Sequence, residues 1–332
     1  MLCKLKWILL SAAILFCEIS LSQKPIPIIF DTDIAPDYDD VGAMAILHAF
    51  ADKGEVKILA TISCNTFETT GPTLSVLNTY FNRPDIPIGI TKGDFPNKSC
   101  SQQWAEAIVY KYPHALASNA QAHDALPLYR RLLSSAPDSS ITIVTVGFFT
   151  NLAKLLESPP DSISPLNGMQ LVSRKVKKLV SMAARVDKDS TGGYEFNVAT
   201  DAKASKKVFA NWPTPVIISG FEVGEKIHTG IRLIKDDRIA NSPVKDAFQI
   251  ALTKDRNSIG RNSWDETAVW VAVRGIDTLF SSRKLNFDIK DDGKNVIIPG
   301  SKFTYLELKE SPEKIATVLE DLMMHQPKKI GQ

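Results

Sequence analysis

Five carboxylates crowd one short stretch of the 332-residue chain, in the run Asp31-Thr32-Asp33-Ile34-Ala35-Pro36-Asp37-Tyr38-Asp39-Asp40. Carboxylates this close repel one another, and a folded chain tolerates them mainly when a cation compensates the charge. Ligands that are all oxygen select a hard ion, Ca²⁺ or Mg²⁺, over zinc or copper. Such an ion lowers the pKa of water, and a carboxylate touching that water can take its proton. A plainer reading has Asp39 and Asp40 complement the dipole of the helix that follows, at ~0.3–1 kcal/mol each, with the others solvated. That accounts for two carboxylates and not for five. Asp31 and Asp37 are the two a metal site needs least.

The elements around the run say where it must sit. Apolar, β-branched stretches recur at Ile26–Phe30, Lys57–Ile62, Ile141–Val146, Val176–Ser181 and Val216–Ser219, each bounded by polar residues, Pro or Gly, as buried parallel strands are. Helical patterns lie between them at Val41–Ala51, Thr73–Phe81, Ala125–Ser134, Asn151–Leu156 and Ala202–Ala210. This alternation predicts an α/β fold with an open, doubly wound, mostly parallel sheet flanked by helices, its function at the carboxyl ends of the strands. The acidic run follows the first of those strands directly. Further on, Pro243–Leu252, Asp265–Arg274 and Ser311–Met324 read as helices. Lys284–Ile298, with an Asp-Asp-Gly turn inside it, and Lys302–Leu308 read as strands of a small C-terminal β/α addition packed on the main sheet.

Lys plus Arg (39) nearly balance Asp plus Glu (37), a formal charge of +2. That balance gives no reason to expect a nucleic acid polymer or an anionic membrane as partner and fits a small polar ligand better. Met1 to Lys6 is basic, Trp7 to Phe16 is apolar, and Ser20-Leu21-Ser22 offers a cleavage site. That order predicts a signal peptide over residues 1–22, removed on export to the periplasm or beyond, and a single domain over 23–332. The apolar stretch is about half of the ~20 residues a membrane span needs. After cleavage only Cys64 and Cys100 remain, too few for a disulfide scaffold. The sequence is compatible with a monomer or a homo-oligomer.

Asp31-Thr32-Asp33, then Asp39-Asp40 opening a helix, resembles the signature of the inosine-uridine-preferring nucleoside hydrolase family, and four further stations agree in order. These are Thr61-Ile62-Ser63-Cys64-Asn65, Val146-Gly147-Phe148-Phe149-Thr150-Asn151-Leu152-Ala153, Glu195-Phe196-Asn197 with Asp201, and Trp264-Asp265 before Ala268-Val269. The similarity spans Ile26 to about Arg274. It implies Ca²⁺ held by Asp33, Asp40, Asp265 and the backbone carbonyl of Thr150. It also implies that Asp39, Asn65 and Asn197 bond the ribose hydroxyls, that Glu195 reaches the 5′-hydroxyl, and that Asp33 is the general base. The expected activity is hydrolysis of a riboside's N-glycosidic bond to base and ribose. Positive charge builds on the sugar as that bond breaks, so surrounding carboxylates and amide oxygens favour the transition state.

The chain departs from the family in two places. The loop between Asp33 and Asp39 is two residues longer than the commonest form, and we expect Asp37 and Tyr38 to bulge from it while Asp39-Asp40 keeps its place. Trp264 stands where many members carry a His that helps protonate the leaving base, and an indole cannot act as an acid; it can stack on a planar base or serve the core. Each station also has a structural reading. Ser263 and Glu266 have the spacing of a capping box, Asp201 is placed to cap the helix after it, and Asn65 could bond its own turn. Two other functions stay open on the sequence. A strand ending in Asp-x-Asp also opens phosphatases of the haloacid-dehalogenase type, with Asp31 as nucleophile and Asp33 as acid. A riboside-binding protein that has lost catalysis at Trp264 is the other.

Overall fold

The computed structural model describes residues 24–93, 95–186 and 192–327. The leader expected over residues 1–22 lies outside the described residues.

Among the described residues eleven strands follow in chain order, β1 (Ile26–Thr32), β2 (Val56–Ser63), β3 (Ile88–Ile90), β4 (His123–Asp124), β5 (Ile141–Thr145), β6 (Val176–Met182), β7 (Val216–Ser219), β8 (His228–Thr229), β9 (Arg261–Asn262), β10 (Phe280–Ile289) and β11 (Asn295–Leu308). Nine of them form one sheet in the order β10-β11-β7-β6-β5-β1-β2-β3-β4, with β8 and β9 paired as a separate antiparallel ribbon. Every pairing in the large sheet is parallel except β10 with β11. The inner strands are runs of Ile, Val and Leu because helices cover both faces and leave no solvent side to alternate toward. Two apolar clusters result, one on each face, with Phe30 and Val144 in the first and Ile29 and Ile143 in the second.

Chain order reverses beside β1, whose neighbours are β2 on one side and β5 on the other. Connections leaving β1 and β5 diverge there, so a crevice opens at their carboxyl ends. The helix Asp39–Asp52 starts at that crevice and is buried from Asp39 through Phe50. Its apolar residues therefore go all round rather than along one stripe, as a helix enclosed by the sheet and by the helices Trp264–Arg274 and Pro312–Met323 requires.

The C-terminal strands differ from the sequence reading. The segment Lys284–Ile298, read as two halves about an Asp-Asp-Gly turn, is the end of β10, that turn, and the start of β11, and its second half continues without a break into the segment read as a separate strand from Lys302. The Lys290 and Lys294 backbones close that turn at 2.8 Å. β11 then runs through Pro299-Gly300, where the pairing register slips and Pro299–Lys302 bulges out. Proline has no amide hydrogen to give the ladder, which is why the bulge sits there. β11 joins β7 and extends the main sheet.

Candidate active site

A cleft of about 200 Å³ opens at the switch point, lined by the carboxylates of Asp33, Asp37, Asp39, Asp40, Glu195 and Asp265, together with Asn197, Arg261, Trp264 and an apolar wall. Each part comes from a strand end or the turn after it. Asp33 follows β1, Asp39 and Asp40 are the first turn of the helix after it, Val146 follows β5 and Met182 ends β6. Gly147 lets these ends close up, because a Cβ there would lie 2.4 Å from the Asp33 amide nitrogen and 2.8 Å from the Thr32 carbonyl carbon.

Asp39, Asp40 and Asp265 each offer a carboxylate oxygen within 4.8 Å of the others, and all three are buried. Asp33 lines the same cleft but stands outside that triad. Asp40 accepts a hydrogen bond from the Thr32 hydroxyl. Asp40 Oδ2 and Asp33 Oδ2 are buried with no hydrogen-bond partner in the protein. Burial first, then the neighbouring carboxylates, pushes Asp33, Asp40 and Asp265 well above the usual carboxylate range. Buried, mutually repelling oxygens without donors are what a hard divalent cation satisfies, and the donor set is entirely oxygen. The residues present fit such an ion.

Asn65, Thr150 and Ser263 make contacts of their own in the structure. Asn65 is fully buried and does not line the cleft. Its amide nitrogen donates to the carbonyls of Asp33 at 2.8 Å and Lys98 at 2.7 Å, while its oxygen accepts from the amides of Phe67 and Lys98. With all four hydrogen bonds committed to the backbone, Asn65 fixes the loop that carries Asp33. Thr150 also stays outside the cleft lining, its hydroxyl donating to Asp201. The capping box does not form, since Ser263 pairs with the Thr229 hydroxyl at 2.7 Å and both Glu266 oxygens lie buried and unpartnered, beside Gly42.

Glu195 and Asn197 do face the cleft. Glu195 accepts from the amides of Asn197 and Val198 at 2.9 and 3.0 Å and so caps the helix Phe196–Thr200; burial lifts its carboxyl to about 7. Asn197 donates to the Val146 carbonyl at 3.2 Å, which leaves its side-chain oxygen free of protein partners. Trp264 is half-buried at the rim, its indole N–H donating to the Phe221 carbonyl at 2.8 Å. Gly224 permits this packing, as a Cβ there would lie 2.3 Å from the indole.

Asp31 has a different place. It is fully buried, accepts from the Tyr129 hydroxyl at 2.7 Å and from the Asn151 amide at 3.1 Å, and sits at about 7 through burial. A carboxylate enclosed this way behind the cleft cannot be the nucleophile of a phosphatase.

Two residues escape sequence reasoning. Asp37 does not bulge away; it lines the cleft and pairs with Arg261 at 2.8 Å, while Tyr38 turns inward against Phe248. Arg261 also bonds Asp39 through Nε at 3.0 Å and Nη2 at 2.8 Å, and its guanidinium lies between the rings of Tyr38 and Trp264. It comes from the two-residue strand β9, which has no hydrophobic period to announce it. The only local signal was its place three residues before Trp264-Asp265.

Residues 28–323 match the family of inosine-uridine preferring nucleoside hydrolases. Among solved structures, a plant nucleoside hydrolase superposes with TM-score 0.67 at 19% identity, over 90% of this chain and 99% of that one. A purine-preferring ribonucleoside hydrolase from Gardnerella vaginalis gives 0.69 at 14%, over 90% and 96%. A type III effector protein, XopQ, complexed with adenosine diphosphate ribose, gives 0.65 at 16%, over 91% and 93%. No curated protein matches the sequence. The chain belongs to the inosine-uridine preferring nucleoside hydrolase family and is a nucleoside hydrolase enzyme.

Proposed function

We propose that the protein is an exported, Ca²⁺-dependent N-ribohydrolase that releases a base and ribose from a ribonucleoside or a related riboside. The observation that carries this reading is the pair of buried, donorless oxygens, Asp33 Oδ2 and Asp40 Oδ2, beside the Asp39, Asp40 and Asp265 triad in an aromatic-rimmed cleft. Asp40 and Asp265, with Asp33 and the Thr150 carbonyl, would hold the ion. When bound, Ca²⁺ supplies Lewis acidity toward water and oxygen positions that a cis-diol can fill, which favours ribose over deoxyribose.

The chain's own groups do the rest. Asp33 accepts the proton of the attacking water, since its Oδ2 has no competing donor in the protein. Asp39, the Asn197 side-chain oxygen and Glu195 accept hydrogen bonds from sugar hydroxyls and hold the ring as positive charge grows on it. Phe221, Trp264 and Met182 supply an apolar wall for the leaving group. The leader over residues 1–22 belongs to the same proposal, with N-terminal sequencing of the exported protein expected to begin at Gln23.

The test is release of reducing sugar from inosine, uridine and other ribosides by the purified protein. Release that stops on chelation and returns with Ca²⁺ is expected. Riboside binding without release would favour a non-catalytic binding protein.

A further inference from the structure

Asp39 has two claims on it. It is one of the three carboxylates close enough to share an ion, and its Oδ1 receives both Nε and Nη2 of Arg261. Arg261 is not a loose surface cation. Its side chain is only 17% exposed and its guanidinium carbon lies 5.2 Å from the Tyr38 ring centroid and 5.0 Å from that of Trp264. Asp37, from the lengthened loop, bonds the same Nη2 at 2.8 Å. Tyr38 is in turn fixed edge-on against Phe248, with ring centroids 5.1 Å apart. The two residues by which the loop exceeds its usual length and the arginine of β9 thus form one unit, Asp37 balancing charge and Tyr38 supplying a face.

We propose that Arg261 is a positioning residue that weakens the hold of Asp39 on the cation and orients its carboxylate for the sugar. A guanidinium stays charged and presents planar, paired N–H donors, so it fixes a carboxylate's orientation as well as offsetting its charge. With Oδ1 of Asp39 held by both Nε and Nη2, only its other oxygen is left to face Asp40 and Asp265, so Asp39 cannot bind an ion through both oxygens. The arginine also subtracts a positive charge's worth of attraction from the cavity and so weakens cation binding. Binding of the cation is thereby traded for a carboxylate left available to a ribose hydroxyl. This inference rests on the cation site proposed above.

Arg261→Gln removes the charge and the fork; Arg261→Lys keeps the charge and loses the fork. Ca²⁺ affinity is read by calorimetric titration of the chelator-stripped protein without substrate, and KM and kcat are read separately on the best riboside. Arg261→Gln is expected to bind Ca²⁺ about 3- to 10-fold more tightly while KM rises roughly 10-fold or more, with a smaller change in kcat. Arg261→Lys is expected to keep Ca²⁺ affinity within about twofold of the parent and still raise KM. Ca²⁺ affinity unchanged or weaker in a folded Arg261→Gln overturns the proposal, and so does a parental KM in both variants. The titration needs no turnover, so a protein inactive on every riboside would count against the hydrolase reading and leave the cation arm to decide this one.

Discussion

At the scale of single residues, the site is defined by carboxylates that the rest of the protein declines to satisfy. Asp33 Oδ2 has no donor, whereas Asp31, two residues earlier and still within β1, has Tyr129 and Asn151. Residues two apart in a strand share a face, but Asp33 lies past the end of β1, and there the two carboxylates part, Asp33 lining the cleft and Asp31 enclosed by Tyr129 and Asn151. Asp33→Asn keeps the shape and removes the proton acceptor, so kcat should fall by about 10²–10⁴. The chelated variant should melt no lower than the parent, because a neutral amide relieves repulsion among buried charges. A variant that keeps more than a tenth of parental kcat would remove Asp33 from the role of base. The sequence made Asp33, Asp40, Asp265, Glu195 and Asn197 legible because each belongs to a short word of unusual composition. It did not reveal the backbone partners of Asn65, since an amide in a turn has the same spelling whether it faces a ligand or a backbone carbonyl. Arg261 was not legible, because an arginine in a polar loop is common and only the fold brings it to Asp37 and Asp39.

At the scale of elements, the close approach of β1 and β5 does the positioning. Gly147, just past β5, abuts the amide of Asp33, and the neighbouring atoms that a Cβ would meet are largely backbone, which cannot rotate away. Gly147→Ala should therefore push the two strand ends apart, destabilise the fold by about 1–3 kcal/mol and weaken Ca²⁺ binding several-fold. Urea unfolding and cation titration measure the two effects, and a variant unchanged in both would show that the ends can part without consequence. The inner strands were legible to within a residue or two because burial on both faces demands continuous Ile, Val and Leu. β3, β4, β8 and β9 have two or three residues each, too short for any period to show. In β10 and β11 the Asp-Asp-Gly turn was visible, but its partners were set by pairing across the sheet, which local pattern does not encode.

At the scale of the whole molecule, the buried acids tie folding to pH and to the cation. Burial carries Asp31 and Glu195 to about 7, above their ordinary values of 3.8 and 4.5, and shifts Asp33, Asp40, Asp265 and Glu266 the same way. A carboxyl with the higher pKa in the folded state holds its proton more tightly there than in the unfolded chain. Its contribution to stability is therefore complete below about pH 4 and is lost as pH rises through about 7. Asp138 and Asp161 are held low by basic partners and act in the opposite sense, but their side chains are exposed, where such pairs contribute little. In chelator, Tm should accordingly fall between pH 5 and pH 8. A divalent ion among these carboxylates favours their ionised forms, and a ligand present at about 100 times its Kd stabilises the folded state by about 2.7 kcal/mol. Saturating Ca²⁺ should thus raise Tm by roughly 5 °C or more at pH 8, with little effect at pH 5, where protonated carboxyls no longer attract it. Thermal melts at pH 5, 6, 7 and 8, with chelator and with Ca²⁺, measure both slopes. If the chelated protein instead gained stability across that range, the cleft's carboxylates would have to be satisfied by the protein itself, and the cation would lose its role in holding the strand ends together.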